Sequence, residues 1–238
     1  MGAANFINES FYSTPQAVPV SYCLRAAASP LHITVQSQDQ LGYILASRFV
    51  AKQFSKAYQA QCQQFAPTLL TIKRNRDICG ALGVRLASQE RLYLEQYLAS
   101  DIEHVLSGVF AQPISRDSII EVGNFSASKG GVSQLLLLAV GHALRLLGYR
   151  WLVFTATSHV QKTLDRMQWQ VTPLCEAKAE YLDDPASNWG NYYADKPKVV
   201  VGDLWAAAAQ LQHPSVTQLF GQHRVPVRRI EASLRGIR

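Results

Sequence analysis

From Asp117 to Leu174 the chain alternates between apolar and amphipathic runs with almost no slack. The run Ser118-Ile-Ile-Glu-Val-Gly-Asn-Phe125 reads as a buried strand with one carboxylate, Glu121, embedded in it. It breaks at Ser126-Ala-Ser-Lys-Gly-Gly131. The apolar periodicity then predicts a helix over 132–147, a strand over 150–155, a helix over 158–167 and a further strand ending near 174. A glycine turn between a strand's end and a helix's start presents free backbone N–H groups and the positive end of the helix dipole, a place for phosphate or pyrophosphate. Phe125, Ser126, Lys129, Gly130, Gly131, Val132 and Ser133 are the expected contacts; the other reading is a plain turn with a solvated lysine.

The remaining pattern frames this segment. Residues 1–30 read as a loose arm, 31–36 as a short strand and 39–58 as a long helix buried through Leu41, Ile44, Leu45, Phe49, Val50 and Phe54. Strands over 68–73 and 78–86 flank Arg74-Asn75-Arg76-Asp77 and read as a hairpin. Two short helical or loop segments follow at 90–98 and 101–110, and a late strand at 198–201 leads into a helix over 202–212. The expected fold class is α/β, a single mixed sheet with helices on both faces. It occupies 31–212 as one domain, with 213–238 a basic tail.

Composition narrows the function. The formal charge of +6 is moderate, and part of it sits in the tail, where five arginines meet one acid, Glu231. The tail reads as a solvated surface; the alternative is an anionic partner. The four cysteines are scattered without metal-ligand spacing, no His/Asp/Glu cluster resembles a metal site, and no Gly-x-Ser-x-Gly elbow exists. Residues 1–19 lack the basic and apolar regions of a secretory signal, and the longest apolar run is too short to cross a bilayer. The expectation is a cytoplasmic protein with no stable membrane insertion, no nucleic-acid partner and no permanently bound cofactor or metal.

Candidate residues follow from what carboxylates and aromatics do in apolar settings. A buried carboxylate is uncommon unless paired. Glu121 is therefore either a general base with a raised pKa or half of an ion pair with Arg85 or Arg150. Gly123 marks a bulge whose freed N–H polarises a carbonyl, or else a close approach of strands. Asn124 faces away from Glu121 in a regular strand, and a bulge at Gly123 would bring both to one side. Glu95 and Asp101 read as recognition groups for a cationic acceptor, with Tyr97 a wall of that pocket; the alternative is a helical ion pair of Glu95 with Arg91 and an ordinary core tyrosine. Trp189 and Tyr192 read as the roof of an acyl channel or as core packing.

Three passages carry a family resemblance: Arg91-Leu-Tyr-Leu-Glu-Gln-Tyr-Leu98 with Asp101-Ile-Glu103, Ile120-Glu-Val-Gly-Asn124, and Asn188-Trp-Gly-Asn-Tyr-Tyr193 with Pro197 and Val199-Val-Val-Gly202. Together they resemble the thermostable haemolysin family over roughly residues 33–211. The family's name records a lytic phenotype, and the resemblance implies an N-acetyltransferase-like (GNAT) fold, in which an acyl thioester lies in a splay between two central strands. A more distant similarity is to acyl-homoserine-lactone synthases, whose corresponding strand carries Glu-x-x-Arg. Here Glu121 keeps the first position and Asn124 replaces the arginine. Against acetyltransferases, Ser128-Lys-Gly-Gly131-Val-Ser133 keeps the middle glycine of the phosphate loop, and Leu164 stands where many of them place a tyrosine acid.

These resemblances imply an N-acyltransferase. It would take an acyl group, expected to be long-chain, from acyl-CoA or from the acyl-phosphopantetheine of an acyl carrier protein, and pass it to a small amine. Two alternatives stand beside it: a directly lytic, membrane-active protein and a non-catalytic GNAT-like binding module.

Overall fold

The computed structural model describes residues 31–128, 132–183, 186–222, 225 and 227–236. Seven strands form one mixed sheet: β1 (Leu31–Ser37), β2 (Thr68–Arg74), β3 (Asp77–Leu86), β4 (Ile119–Ala127), β5 (Trp151–Ala156), β6 (Thr172–Glu176) and β7 (Lys198–Asp203). Their order is β1-β2-β3-β4-β5-β7-β6. Only β4 and β5 run parallel, and every other pairing is antiparallel. The parallel pair is the one joined through a helix, α3 (Val132–Leu146), as a parallel connection requires. At the hairpin, Arg74 pairs with Asp77, and Asn75 takes the left-handed conformation (φ 57°) that asparagine tolerates better than most residues.

Helix α1 (Leu41–Tyr58) lies across β2, β3 and β4. It buries Ala46, Val50 and Phe54, whereas Leu41, Ile44 and Leu45, expected in its inner face, are exposed. On the other side of the sheet α3 is buried almost all round: Leu135, Leu136, Ala139, Val140, Ala143 and Leu144 are each at most 1% exposed. A helix apolar on every side must be covered on every side. The cover is the C-terminal segment. The residues read from the sequence as a basic tail include two helices, α6 (Pro214–Gln222) and α7 (Val227–Arg235), and α7 packs on α3 and β1. Val216, Leu219, Ile230 and Leu234 join the main core, while Arg228 and Arg235 stay exposed and pair with Glu231. The predicted helix over 202–212 is shorter, because β7 extends to Asp203 and a turn precedes α5 (Ala208–Leu211).

The register of β4 creates the functional geometry. Towards β3, Gly123 pairs with Gly83 and Ser126 with Ala81, so Asn124 and Phe125 together oppose Leu82. This is a β-bulge, which bends and twists the strand, and Asn124 within it has φ 50°. Towards β5, pairing covers only Ile119–Trp151, Ile120–Leu152 and Glu121–Val153. Beyond Glu121 the two central strands part.

Candidate active site

A crevice opens where β4 and β5 diverge. Val122, Leu137 and Phe154 wall it from the α3 side of the sheet, and Phe54, Trp189 and Tyr192 from the α1 side. Glu121, Gly123 and Asn124 line it: the bulge falls at Asn124 and Phe125, one residue beyond the expected Gly123, and Asn124 borders the same cavity as Glu121. Gly123 is not a close-packing glycine. A Cβ built there meets nothing within 4 Å, so its Cα borders open space.

Glu121 is 6% exposed. Its Oε2 accepts a hydrogen bond from the Tyr93 N–H (2.7 Å) and its Oε1 one from the Leu94 N–H (3.1 Å). The Arg85 Nε stands 3.6 Å from Oε2, so Arg85, directly opposite on β3, is the ionic neighbour, while Arg150 pairs with Asp203. Desolvation outweighs the Arg85 guanidinium and the two backbone donors, and the carboxyl is pushed up to about 7. At neutral pH it therefore both holds and releases a proton. Each oxygen retains acceptor capacity beyond its backbone donor.

Asn124 spends its side chain on architecture. Its Oδ1 accepts from the Ala66 N–H (2.8 Å) and its Nδ2 donates to the Gln64 carbonyl (3.0 Å), stitching the loop after α1 to the bulge. Gln64, Phe65 and Ala66 are themselves crevice walls. On β3, Gly83, paired with Gly123, has no room for a Cβ, which would lie 2.7 Å from the Ala66 Cβ and 2.8 Å from Asn124 Oδ1.

The aromatic end is a packed group. Trp189 and Tyr192 are 7% and 8% exposed, their centroids are 5.4 Å apart, and both contact Phe54. Tyr97 lines the crevice too, its hydroxyl 2.5 Å from that of Tyr193. Burial is the main cause that holds the Tyr97 and Tyr192 phenols well above their ordinary value, so both stay neutral. Tyr97, Trp189 and Tyr192, expected from the sequence, all line the crevice. Phe54 and Tyr58, which reach it from α1, and Tyr93 are further walls, and Arg85, expected only as an ion partner of Glu121, is a wall as well. Arg85 had a legible signal: it is the one cation in the apolar run 78–86, as Glu121 is the one acid in 118–125.

Two expected acceptor groups lie elsewhere. Glu95, in the short 3-10 turn Tyr93–Tyr97, is absent from the crevice walls. Its oxygens accept from the Leu92 and Ile102 N–H groups, and Arg116 donates to both of them (2.7 and 2.8 Å). Asp101 precedes α2 (Ile102–Phe110), is exposed, and gathers with Glu103 and His104 rather than facing the crevice. Of the expected phosphate contacts, Phe125 lines the crevice, and the buried Ser126 hydroxyl donates to the Asn124 carbonyl (3.1 Å). The Val132 side chain is core, 2% exposed and packed over Gly80, which leaves only its main chain for a ligand. Lys129, Gly130, Gly131 and the Ser133 side chain lie outside the described residues. Leu164, at the place of the tyrosine acid, is buried in the core. Among the described residues no helix is long and apolar enough to cross a membrane.

The architecture is shared with solved proteins. The AHL synthase LasI superposes with a TM-score of 0.51 at 12% identity, over 74% of this chain and 91% of its own. The CoA-dependent acyl-homoserine lactone synthase BjaI, solved with SAM and isopentyl-CoA, gives 0.52 at 12% identity, over 82% of this chain and 90% of its own. The fold is thus GNAT-like, with a mixed sheet split between β4 and β5. No curated protein sequence matches the chain. One family model, described as Thermostable hemolysin, matches residues 36–208, and the chain belongs to the thermostable hemolysin family.

Proposed function

We propose that this protein is an N-acyltransferase that moves an acyl group from a thioester, on CoA or on the phosphopantetheine of a carrier protein, to a small amine. The observation that carries the reading is the buried Glu121, with its carboxyl near 7, at the foot of a splay that opens to both faces of the sheet. Acyl transfer to an amine needs such a group, because a primary amine is mostly an ammonium ion at neutral pH and must lose a proton before it attacks. Glu121 takes that proton. The nitrogen then forms a bond to the thioester carbonyl carbon, the carbonyl π electrons move to oxygen, and the C–S bond breaks as they return. The thiolate leaves and the nitrogen's second proton is lost, so acyl thioester and ammonium become amide, thiol and a proton. A thiolate departs without a dedicated acid, since thiols ionise near 8.5, which accords with Leu164 at the place of the tyrosine.

The backbone around Gly123–Phe125 would stabilise the oxyanion, because the bulge removes Asn124 and Phe125 from regular pairing and Gly123, the last paired residue before it, leaves space for the reacting centre. The aromatic end supports an apolar acyl chain or an apolar acceptor side chain. The BjaI structure contains an acyl-CoA, and donor binding in the same splay is the corresponding expectation here. The test is thiol release from acyl-CoA and acyl-carrier-protein thioesters with mixtures of amines, read by a thiol reagent and by mass spectrometry of the amide. Glu121→Gln should abolish most release while the fold is retained. A lytic protein would instead empty liposomes with no thioester present, and a binding module would take up the thioester without releasing thiol.

A further inference from the structure

Glu121 and Arg85 sit directly opposite each other on neighbouring strands and both line the crevice. They are the only ionisable groups of formal charge among its described walls; the rest are apolar, aromatic, amide or hydroxyl groups. Arg85 is not spent on Glu121. Its Nη1 donates to Glu90 (2.9 Å), its Nε stands 3.6 Å from Glu121, beyond hydrogen-bond reach, and its Nη2 has no partner among the described residues. A guanidinium presents donors in a planar fork suited to a carboxylate. The carboxylate opposite suits an ammonium ion. Around them stand Phe54, Tyr58, Trp189 and Tyr192.

We propose that the acceptor is a free α-amino acid with an apolar or aromatic side chain, its ammonium on Glu121, its carboxylate on Arg85 and its side chain against the aromatic wall. This rests on the acyl-transfer reading and narrows it. An α-amino acid holds its two charges one carbon apart, which suits two opposite charges facing one another across adjacent strands. A plain alkylamine would leave the Arg85 Nη2 without an acceptor, and a polyamine would bring a second cation towards it. Product and stoichiometry stay those of the transfer step: an N-acyl amino acid, a thiol and a proton.

The experiment varies the acceptor, so it does not depend on a variant that fails to fold. Thiol release from a long-chain acyl-CoA is measured with L-phenylalanine, L-tyrosine and L-leucine, with the methyl ester of each, and with phenethylamine, which has the ring and amine of phenylalanine but no carboxylate. The free amino acids should be used at least about tenfold more efficiently, in kcat/KM, than the esters or phenethylamine, the loss expected for one charge-assisted contact. Arg85→Lys should narrow that preference, release with the free amino acids falling towards that with their esters. Esters or phenethylamine used as well as the free acids would overturn the carboxylate subsite and leave acyl transfer standing. Calorimetry with the same compounds and no donor supplies the second readout. Binding of the amino acids but not their esters, with no thiol release, would uphold the subsite while acyl transfer fails; neither binding nor release would remove both.

Discussion

Glu95 and Glu121 are two carboxylates 3% and 6% exposed, both tied to backbone N–H groups around the same short turn, and they titrate in opposite directions. Burial is the largest influence on each and pushes each upward. At Glu95 it is overcome: Arg116 grips both oxygens, two backbone donors complete the set, and the carboxyl ends below its ordinary value. At Glu121 the arginine is only nearby, the donors are two, and burial wins, leaving the carboxyl at about 7. Burial alone therefore does not mark a functional acid. The saturated carboxylate holds the turn, and the under-saturated one, beside open space, is suited to chemistry.

The comparison breaks first if Glu121 can be neutralised without consequence. Glu121→Gln should lower turnover by about 10²- to 10⁴-fold, the usual worth of a positioned proton acceptor. The pH profile of kcat/KM sharpens the point. Glu121 works deprotonated, so the rate should rise with pH and level off above about 7, and the variant should lack that limb. A wild-type limb near 4.5 would show that burial does not win at Glu121 and would remove most of the contrast with Glu95.

Stability should separate the two next. Removing the Arg116 cation with Arg116→Met leaves Glu95 charged, buried and held by backbone donors alone. A loss of roughly 3–5 kcal/mol in urea unfolding is expected, towards the lower end because Arg116 is partly exposed. For Glu121 the sign is reversed. Its folded pKa lies above its unfolded one, so the folded state binds the proton more tightly. That contribution is fully present below about 4.5 and is lost as pH rises through about 7. Glu121→Gln should therefore gain stability relative to wild type between pH 5 and pH 8, by at most about 3 kcal/mol. Melting temperatures across that interval check it, and a variant weaker than wild type at pH 8 would mean that Arg85 needs the charge.

How much of this was legible without coordinates follows the same division. Glu121 stood out because an acid inside an apolar strand is a local anomaly, and the bulge because glycine and asparagine follow it within three residues. The partner of Glu95 was not legible. Arg116 lies 21 residues on, and a helical spacing rule points to Arg91 instead. Helix α7 was hidden by its arginines, although Val227, Ile230 and Leu234 recur at helical spacing. The stronger hint lay in α3, whose apolar residues surround the axis and require a second cover. His142, which shares the polar stripe of α3 with Gln134 and Arg145, lies under that cover, its Nδ1 3.3 Å from the Leu211 carbonyl and its ring edge-on to Phe220. Exposure of Leu41, Ile44 and Leu45 was equally unforeseen, because periodicity shows which residues share a helix face and not how far the neighbouring sheet extends.

The smallest effects concern two glycines that pair across β3 and β4 and differ in what lies above them. A methyl at Gly83 would press on the Ala66 Cβ and on Asn124 Oδ1, neither at the end of a long flexible chain, so Gly83→Ala should cost roughly 1–3 kcal/mol. Asn124→Ala should cost about as much, by leaving the Ala66 N–H and the Gln64 carbonyl without their side-chain partner. At Gly123 the same methyl meets nothing within 4 Å, and the backbone is not left-handed there. Gly123→Ala should change stability by no more than about 0.5 kcal/mol, as substitutions away from packed contacts do, yet raise KM or lower kcat, because the methyl projects into the crevice beside Glu121. A Gly123→Ala protein with unaltered kinetics would place the reacting atoms elsewhere in the splay. One as unstable as Gly83→Ala would mean that the open space above β4 is filled in solution.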